Sequence, residues 1–391
     1  MKFLNLLLMV IFVTFSNSYS SNNDSIHEPA DTAREKPTDS LLSDSTLIDS
    51  NPSWSPDGNY IAFISHRSGK TDIWIMSPDG SNIRNITEGY AGANHSIAWD
   101  PNGNRIAFTS QTIGTFSSDI WITDIDGANP INITAQLGLN DGYFNGYPVW
   151  SPNGNFISFS DDSASRADVK IVNLDDFSLN NVTLGIRQVN TISTWSPDSR
   201  YIAVYSAPGS DSLLPQVWVI AIDGTTTRDV TYSLQDLLGP ENTLKSIPYL
   251  AWSPATDAIA FVASYMGGNL DILSVSGDGT KLSNLTKDLD HTNTYPVWSP
   301  DGDRIAFQSR YRGNLDIWVM NADGSNHRNL TPDSDAKDQY PSWSPDGSKI
   351  AFESDRDGNP DIWIMNADGS NPVNLTGNRQ SDQAAICSDC Y

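Results

Sequence analysis

The sequence predicts an all-β fold, a seven-bladed β-propeller of four-stranded antiparallel blades, with six blades as the alternative. Three observations carry this. A word headed by Trp recurs at Trp54, Trp99, Trp150, Trp195, Trp252, Trp298 and Trp343, at spacings of 45, 51, 45, 57, 46 and 45 residues. Each recurrence is followed by the same three shorter words at steady offsets. No copy leaves room for a helix, which excludes βαβ units.

Each element has a chemical reason. The first strand ends in the Trp and runs into a turn: WSPDG at Trp54, Trp298 and Trp343, WDPNG at Trp99, WSPNG at Trp150, WSPDS at Trp195 and WSPAT at Trp252. Pro fixes one backbone dihedral, and Asp-Gly or Asn-Gly supplies the positive φ that tight hairpins need. The second strand is IAF at Ile61, Ile106, Ile259, Ile305 and Ile350, ISF at Ile157 and IAV at Ile202. The third is headed by Asp72, Asp119, Asp168, Asp271, Asp316 or Asp361, with Gln216 instead in the fourth copy. Ile, Val, Phe and Trp in these runs suit strands packed on buried, pleated faces. A short fourth strand ends in Thr, as in NIT at Asn85 or NLT at Asn329. Its Asn-x-Thr triplets match a glycosylation pattern, but they recur because the strand recurs, and they read as strand ends.

One such meander cannot bury both of its faces, whereas seven arranged radially can. All 12 Trp of the chain fall in these words and are expected in the core between blades.

The flanks read differently. Residues 1–20 join Lys2 to an apolar stretch, Phe3 to Phe15, and then to small residues, the order of a secretory signal peptide. Residues 21–48 are rich in Ser, Asp, Thr and Pro and read as a flexible polar linker. The propeller is expected over 49–376 and a tail over 377–391. Cys387 and Cys390 in the tail read as a local disulfide or idle thiols, because two sulfurs do not complete a zinc site. No later segment reaches membrane-spanning length.

Stretches such as YPSWSPDGSKIAFESDRDGNPDIWIMNADGSNPVNLT, Tyr340 to Thr376, resemble the propeller repeat of the TolB family, from the Tol-Pal cell-envelope system. The resemblance covers Asp49 to about Thr376 and is specific for the propeller rather than for an activity. TolB proteins carry an α/β domain ahead of six blades, so the resemblance implies a propeller-only relative. Similar repeats occur in propellers attached to serine peptidases and in some lyases.

The candidate site lies where the first strands begin. Five residues before each Trp stand Asp49, Asn94, Asn145, Asn190, Ile247, Asn293 and Asp338. First strands are innermost in a propeller, so these residues are expected to ring one mouth of the central channel. Their oxygens can hold a hard cation such as calcium, or meet a partner's backbone groups. They can equally satisfy their own turns. Three residues before the Trp stand Tyr147, Tyr249, Tyr295 and Tyr340, which add aromatic area beside the polar ring. The long connections Gly138 to Tyr147 and Tyr232 to Tyr249 lie on the same rim, where Leu234, Leu237 and Leu238 can form a helical turn.

The formal charge of -24 argues against nucleic acid and anionic lipid and favours basic partners. His27, His66, His95, His291 and His327 sit at different offsets, which counts against a lyase-type histidine cluster. No G-x-S-x-G elbow occurs. The expectation is a monomeric, non-enzymatic, periplasmic or secreted propeller without a cofactor, calcium aside. It binds a protein partner at the channel mouth. The alternative is a lyase-like or hydrolase-like enzyme, or a carbohydrate-binding protein, with a channel ligand.

Overall fold

The computed structural model describes residues 48–139, 142–162, 167–184, 186, 190–206, 216–234, 237, 244–246, 249–265, 269–311, 313–332 and 335–377. The expected signal peptide, the linker up to residue 47, Ile247, Leu238, Cys387 and Cys390 lie outside them. Seven antiparallel sheets form, one for each copy of the repeat. Six are four-stranded in simple meander order. In the fifth, the inner strand is split into Leu244–Ser246 and Leu250–Trp252, so that sheet counts five. The six-bladed alternative is thereby corrected to seven: every copy supplies its own complete sheet. No helix among the described residues is long and apolar enough to cross a membrane.

Blade 1 shows the pattern. Its strands are Asp49–Trp54, Ile61–Ser65, Asp72–Met76 and Arg84–Asn85. Trp54 pairs with Ile61, and Asp49 pairs with Ser65. The register slips between Ser50 and Ser53, a β-bulge. Equivalent bulges interrupt the inner strands of blades 2, 3, 6 and 7.

The terminal Thr of each copy has a clear task. Its hydroxyl accepts the backbone N–H that follows the head of the third strand: Thr87 from Ile73, Thr134 from Ile120, Thr183 from Val169, Thr231 from Val217, Thr286 from Ile272, Thr331 from Ile317 and Thr376 from Ile362, at 2.9–3.2 Å. A short outer strand thus leaves no orphaned donor at that point. The Asn two residues earlier donates to the third-strand Asp, as Asn85 to Asp72 at 3.0 Å and Asn374 to Asp361 at 2.9 Å. Blade 4 reverses the pair: Gln216 donates to Asp229 at 2.6 Å. In blade 2 the Asn132 side chain donates to Asp119 at 3.0 Å and also caps a one-turn helix, Ile133–Gln136, an element the strand pattern conceals.

The core lies between blades. Each opening Trp is buried. The indole N–H of Trp99, Trp195, Trp298 and Trp343 donates to a carbonyl of the preceding blade's inner strand, for example Trp298 to Ala251 at 3.0 Å. The ring closes through the same kind of apolar packing. Trp54, Ile61, Phe63 and Met76 of blade 1 pack with Ala351, Ile362, Ile364 and Leu375 of blade 7. The Trp54 backbone N–H donates to the Ser342 hydroxyl, and the Asp49 backbone N–H donates to the Pro360 carbonyl at 2.9 Å. Both terminal blades already hold four strands, so closure through faces is the observed solution.

Candidate functional site

The inner strands place two tiers of residues around the channel. The first is the Asn/Asp tier. Asp49, Asn94, Asn145, Asn293 and Asp338 are all 0–1% exposed. Each makes side-chain hydrogen bonds within the ring, while one side-chain oxygen each of Asp49, Asn94, Asn145 and Asp338 is buried without a partner. Asn94 donates to Asp72 of the preceding blade at 2.9 Å. Asn145 binds Ser118 of blade 2 through its backbone. The Asn293 carbonyl accepts from Ser309 at 2.8 Å. Asn190 begins the inner strand of blade 4. Burial pushes Asp72 up, but hydrogen bonds from Lys70, Ser68, Asn85 and Asn94 outweigh it and hold its carboxyl below the usual range. Asn94 and Asn145 tie their blades to the preceding one, whereas Asn293 bonds within its own blade.

The two acids of the tier each have an arginine. Arg67 meets Asp49 at 2.6 Å, and Arg356 meets Asp338 at 2.9 Å. Both guanidinium groups also lie over aromatic rings, Arg67 over Phe63 and Trp74, Arg356 over Phe352 and Trp363. Each Arg stands 18 residues after its Asp, and at that offset Asn94, Asn145, Asn190 and Asn293 have Thr112, Ser163, Pro208 and Tyr311. Asp therefore appears in the ring where an Arg answers it and Asn where none does. This covariation is the sequence signal for the ion pairs.

Among the described residues, no group of three or more His, Cys, Asp or Glu is arranged to hold a metal ion. With both acids already neutralised, millimolar calcium is expected to leave the melting temperature unchanged. A rise in a calorimetric or fluorescence melt would assign the ring a cation after all.

The second tier is aromatic. The bulge places the residue three before the Trp at positive φ: Asn51 at 52°, Ser96 at 60°, Tyr147 at 55°, Tyr295 at 53° and Tyr340 at 55°. Asn adopts this conformation readily, whereas Tyr does so at a cost of roughly 1–3 kcal/mol. Tyr249 and Tyr295 have ring centroids 4.1 Å apart, and Tyr295 and Tyr340 are 4.8 Å apart and nearly perpendicular. The Tyr295 hydroxyl interacts with those of both neighbours. Tyr147, from blade 3, acts electrostatically on Tyr249 and Tyr295 of blades 5 and 6. Residues of non-adjacent blades sense one another in this way when they converge on the axis. Burial pushes the Tyr249 hydroxyl up to about 12, and it raises Tyr295 and Tyr340 as well. Tyr147 is 39% exposed, at the open side of the group.

Sequence reasoning missed one residue beside them. Glu353, in the second strand Lys349–Ser354, is buried and acts on Tyr340. Its signal was a charged residue in a register otherwise filled by Ile64, Thr109, Ser160, Tyr205, Val262 and Gln308.

The histidines are spread apart. His66 meets Thr71, His95 meets Ser96, His291 packs on Tyr311 and Trp318, and His327 meets the Leu285 carbonyl. On the rim, Leu234 is buried in the core between blades 4 and 5, while Leu237 is exposed. Both have helical backbone.

Comparisons with known proteins agree with this architecture. The family described as TolB beta propeller domain matches residues 33–135 and 247–389. A Tol-Pal system protein TolB from Syntrophus aciditrophicus (strain SB) is 56% identical over 36 residues, 9% of this chain and 8% of that protein. Its counterpart from Gluconobacter oxydans (strain 621H) is 33% identical over 105 residues, 26% of this chain and 22% of that protein. The chain thus spans under a quarter of the length of either relative. Among solved structures, an oligogalacturonate lyase in complex with manganese superposes with a TM-score of 0.63 at 14% identity, covering 81% of this chain and 89% of that one. At that identity the likeness is one of fold.

Proposed function

The chain belongs to the TolB beta propeller domain family, and from that premise we propose that it is an exported, non-enzymatic interaction scaffold that binds a protein partner at the tyrosine-bearing mouth of its channel. One observation carries the reading. Tyr147, Tyr295 and Tyr340 occupy a backbone conformation that disfavours tyrosine, at the same point of three inner strands. Strain of this kind persists where a site needs it. Tyr offers broad, amphipathic contact area at low entropic cost, which is why it is enriched in binding surfaces. The Asn/Asp tier is the frame that holds these residues in register, and the strongly acidic chain favours a basic partner surface. The leading segment, residues 1–20, supports export to the periplasm or beyond.

The test is affinity capture from a cell-envelope extract, with the mature chain and its Tyr295→Ala/Tyr340→Ala variant as paired baits. The expected result is a partner retained by the wild type and reduced at least tenfold by the variant, with both baits giving cooperative melts. Identical capture by the two baits would overturn the assignment of the mouth. The alternative, a lyase-like or carbohydrate-binding propeller, draws on the shared fold alone. The separate environments of the four propeller histidines do not favour it.

A further inference from the structure

Glu353 is the one acid in its register, where blades 1 and 5 place Ile64 and Val262. It is 5% exposed. Gln339 donates to its Oε1 at 2.7 Å, and the backbone N–H of Asn51, across the closing seam in blade 1, also binds the carboxyl. Its Oε2 is buried with no partner. In the next blade back, Gln308 is 3% exposed and its Nε2 is likewise unpartnered. The charged groups acting on Glu353 are Asp355 and Asp49, both acidic, the latter paired with Arg67. Tyr340, the end of the tyrosine row, is the titratable group on its aromatic side.

A buried carboxylate oxygen without a partner is costly, and aliphatic residues fill the same register elsewhere in the ring. Keeping an acid there, in an acidic surrounding and beside aromatic rings, matches what an organic cation needs. It needs a counter-charge in low dielectric, ring faces for cation–π attraction and few competing waters. A hydrated metal ion would need several more oxygens. We propose that the inner edge of blade 7 binds an ammonium group, with Glu353 as its counter-charge and Tyr340 and Tyr295 as its aromatic walls. The ammonium belongs either to a free alkylamine or to a lysine side chain of a bound polypeptide. The inference rests on the reading of the channel as the ligand-facing part of the molecule.

Binding has a proton signature. Burial raises the Glu353 carboxyl to about 7, so the free site is about half protonated at pH 7 and largely protonated below about pH 6. An alkylammonium, with a pKa of about 10.4, stays charged throughout and selects the carboxylate. Binding therefore releases a proton. Affinity should rise about tenfold per pH unit up to about 7 and level off above it.

Isothermal titration of the mature chain with n-butylammonium chloride, and with acetyl-Gly-Lys-Gly-amide, tests this at pH 5.5, 6.5 and 8.0 against potassium chloride of equal ionic strength. The expected result is saturable binding at pH 8.0, at least tenfold weaker at pH 5.5, and lost at least tenfold in a folded Glu353→Gln variant. A peptide that binds tenfold tighter than the amine assigns the group to a polypeptide; equal affinities assign it to a free amine. Absence of saturable heat for both probes at pH 8.0, equal affinity at pH 5.5 and 8.0, or an unaffected Glu353→Gln variant would each overturn the proposal. Should that variant fail to fold, the wild-type pH profile decides alone. Amine binding with indifferent capture baits would remove the protein-partner reading only, and the converse would remove only the ammonium site.

Discussion

Replacing Arg67 by methionine is expected to destabilise the propeller by about 3–5 kcal/mol, the usual cost of leaving one member of a buried ion pair behind. Methionine keeps part of the apolar stem and removes the guanidinium, which lies over Phe63 and Trp74 and donates to Asp49. Asp49 is then left uncompensated at 1% exposure, in the strand whose N–H closes the ring onto Pro360. Adding Asp49→Asn should recover most of the loss, because the double variant recreates the Asn94 and Thr112 pattern of blade 2, which has no guanidinium. Denaturant melts of the wild type, both single variants and the double variant form the cycle that measures this. A single variant within 1 kcal/mol of wild type at pH 7, or a double variant no better than the single, would show that the pair does not hold the seam.

The pair illustrates how legible the molecule is from its sequence. The blade count, the strand order and the role of the opening Trp follow from repetition, because each copy must satisfy the same geometry seven times and so repeats the same words. The Asn/Asp ring and the four tyrosines are visible for that reason as well. What repetition does not reveal is direction. Nothing in NTYPVW tells that the bulge turns Tyr295 to positive φ, or that Asn293 spends its carbonyl on Ser309. The 18-residue offset from Asp to Arg was readable, but it is a covariation between copies rather than a shared word. Glu353 was hidden for the opposite reason: it departs from the repeat, and one departure among seven resembles tolerance until its burial is known. The one-turn helix at Ile133–Gln136 escaped because its Asn132 cap is spelled like the other strand ends.

Glu353 also makes stability depend on pH, in a direction opposite to Asp72, whose hydrogen bonds hold its carboxyl low. Its carboxyl stands at about 7 in the folded chain, against about 4.5 for an unperturbed glutamate. Between these values the native state binds more protons than the unfolded chain. Stability must then fall as pH rises through this window, and the full penalty is present above pH 7. A shift of that size corresponds to about 3 kcal/mol between pH 4.5 and pH 8. Other groups titrate over the same range, so the comparison that isolates Glu353 is the wild type against Glu353→Gln. The glutamine Oε1 can still accept from Gln339, so the local hydrogen bond survives the change. The variant is expected to be more stable than wild type by about 3 kcal/mol at pH 8, with the advantage vanishing near pH 5. Denaturant melts at half-unit pH intervals give both curves. A constant offset across that range would mean that Glu353 titrates normally in the folded protein, and the buried carboxyl would lose its claim to be poised for a cation.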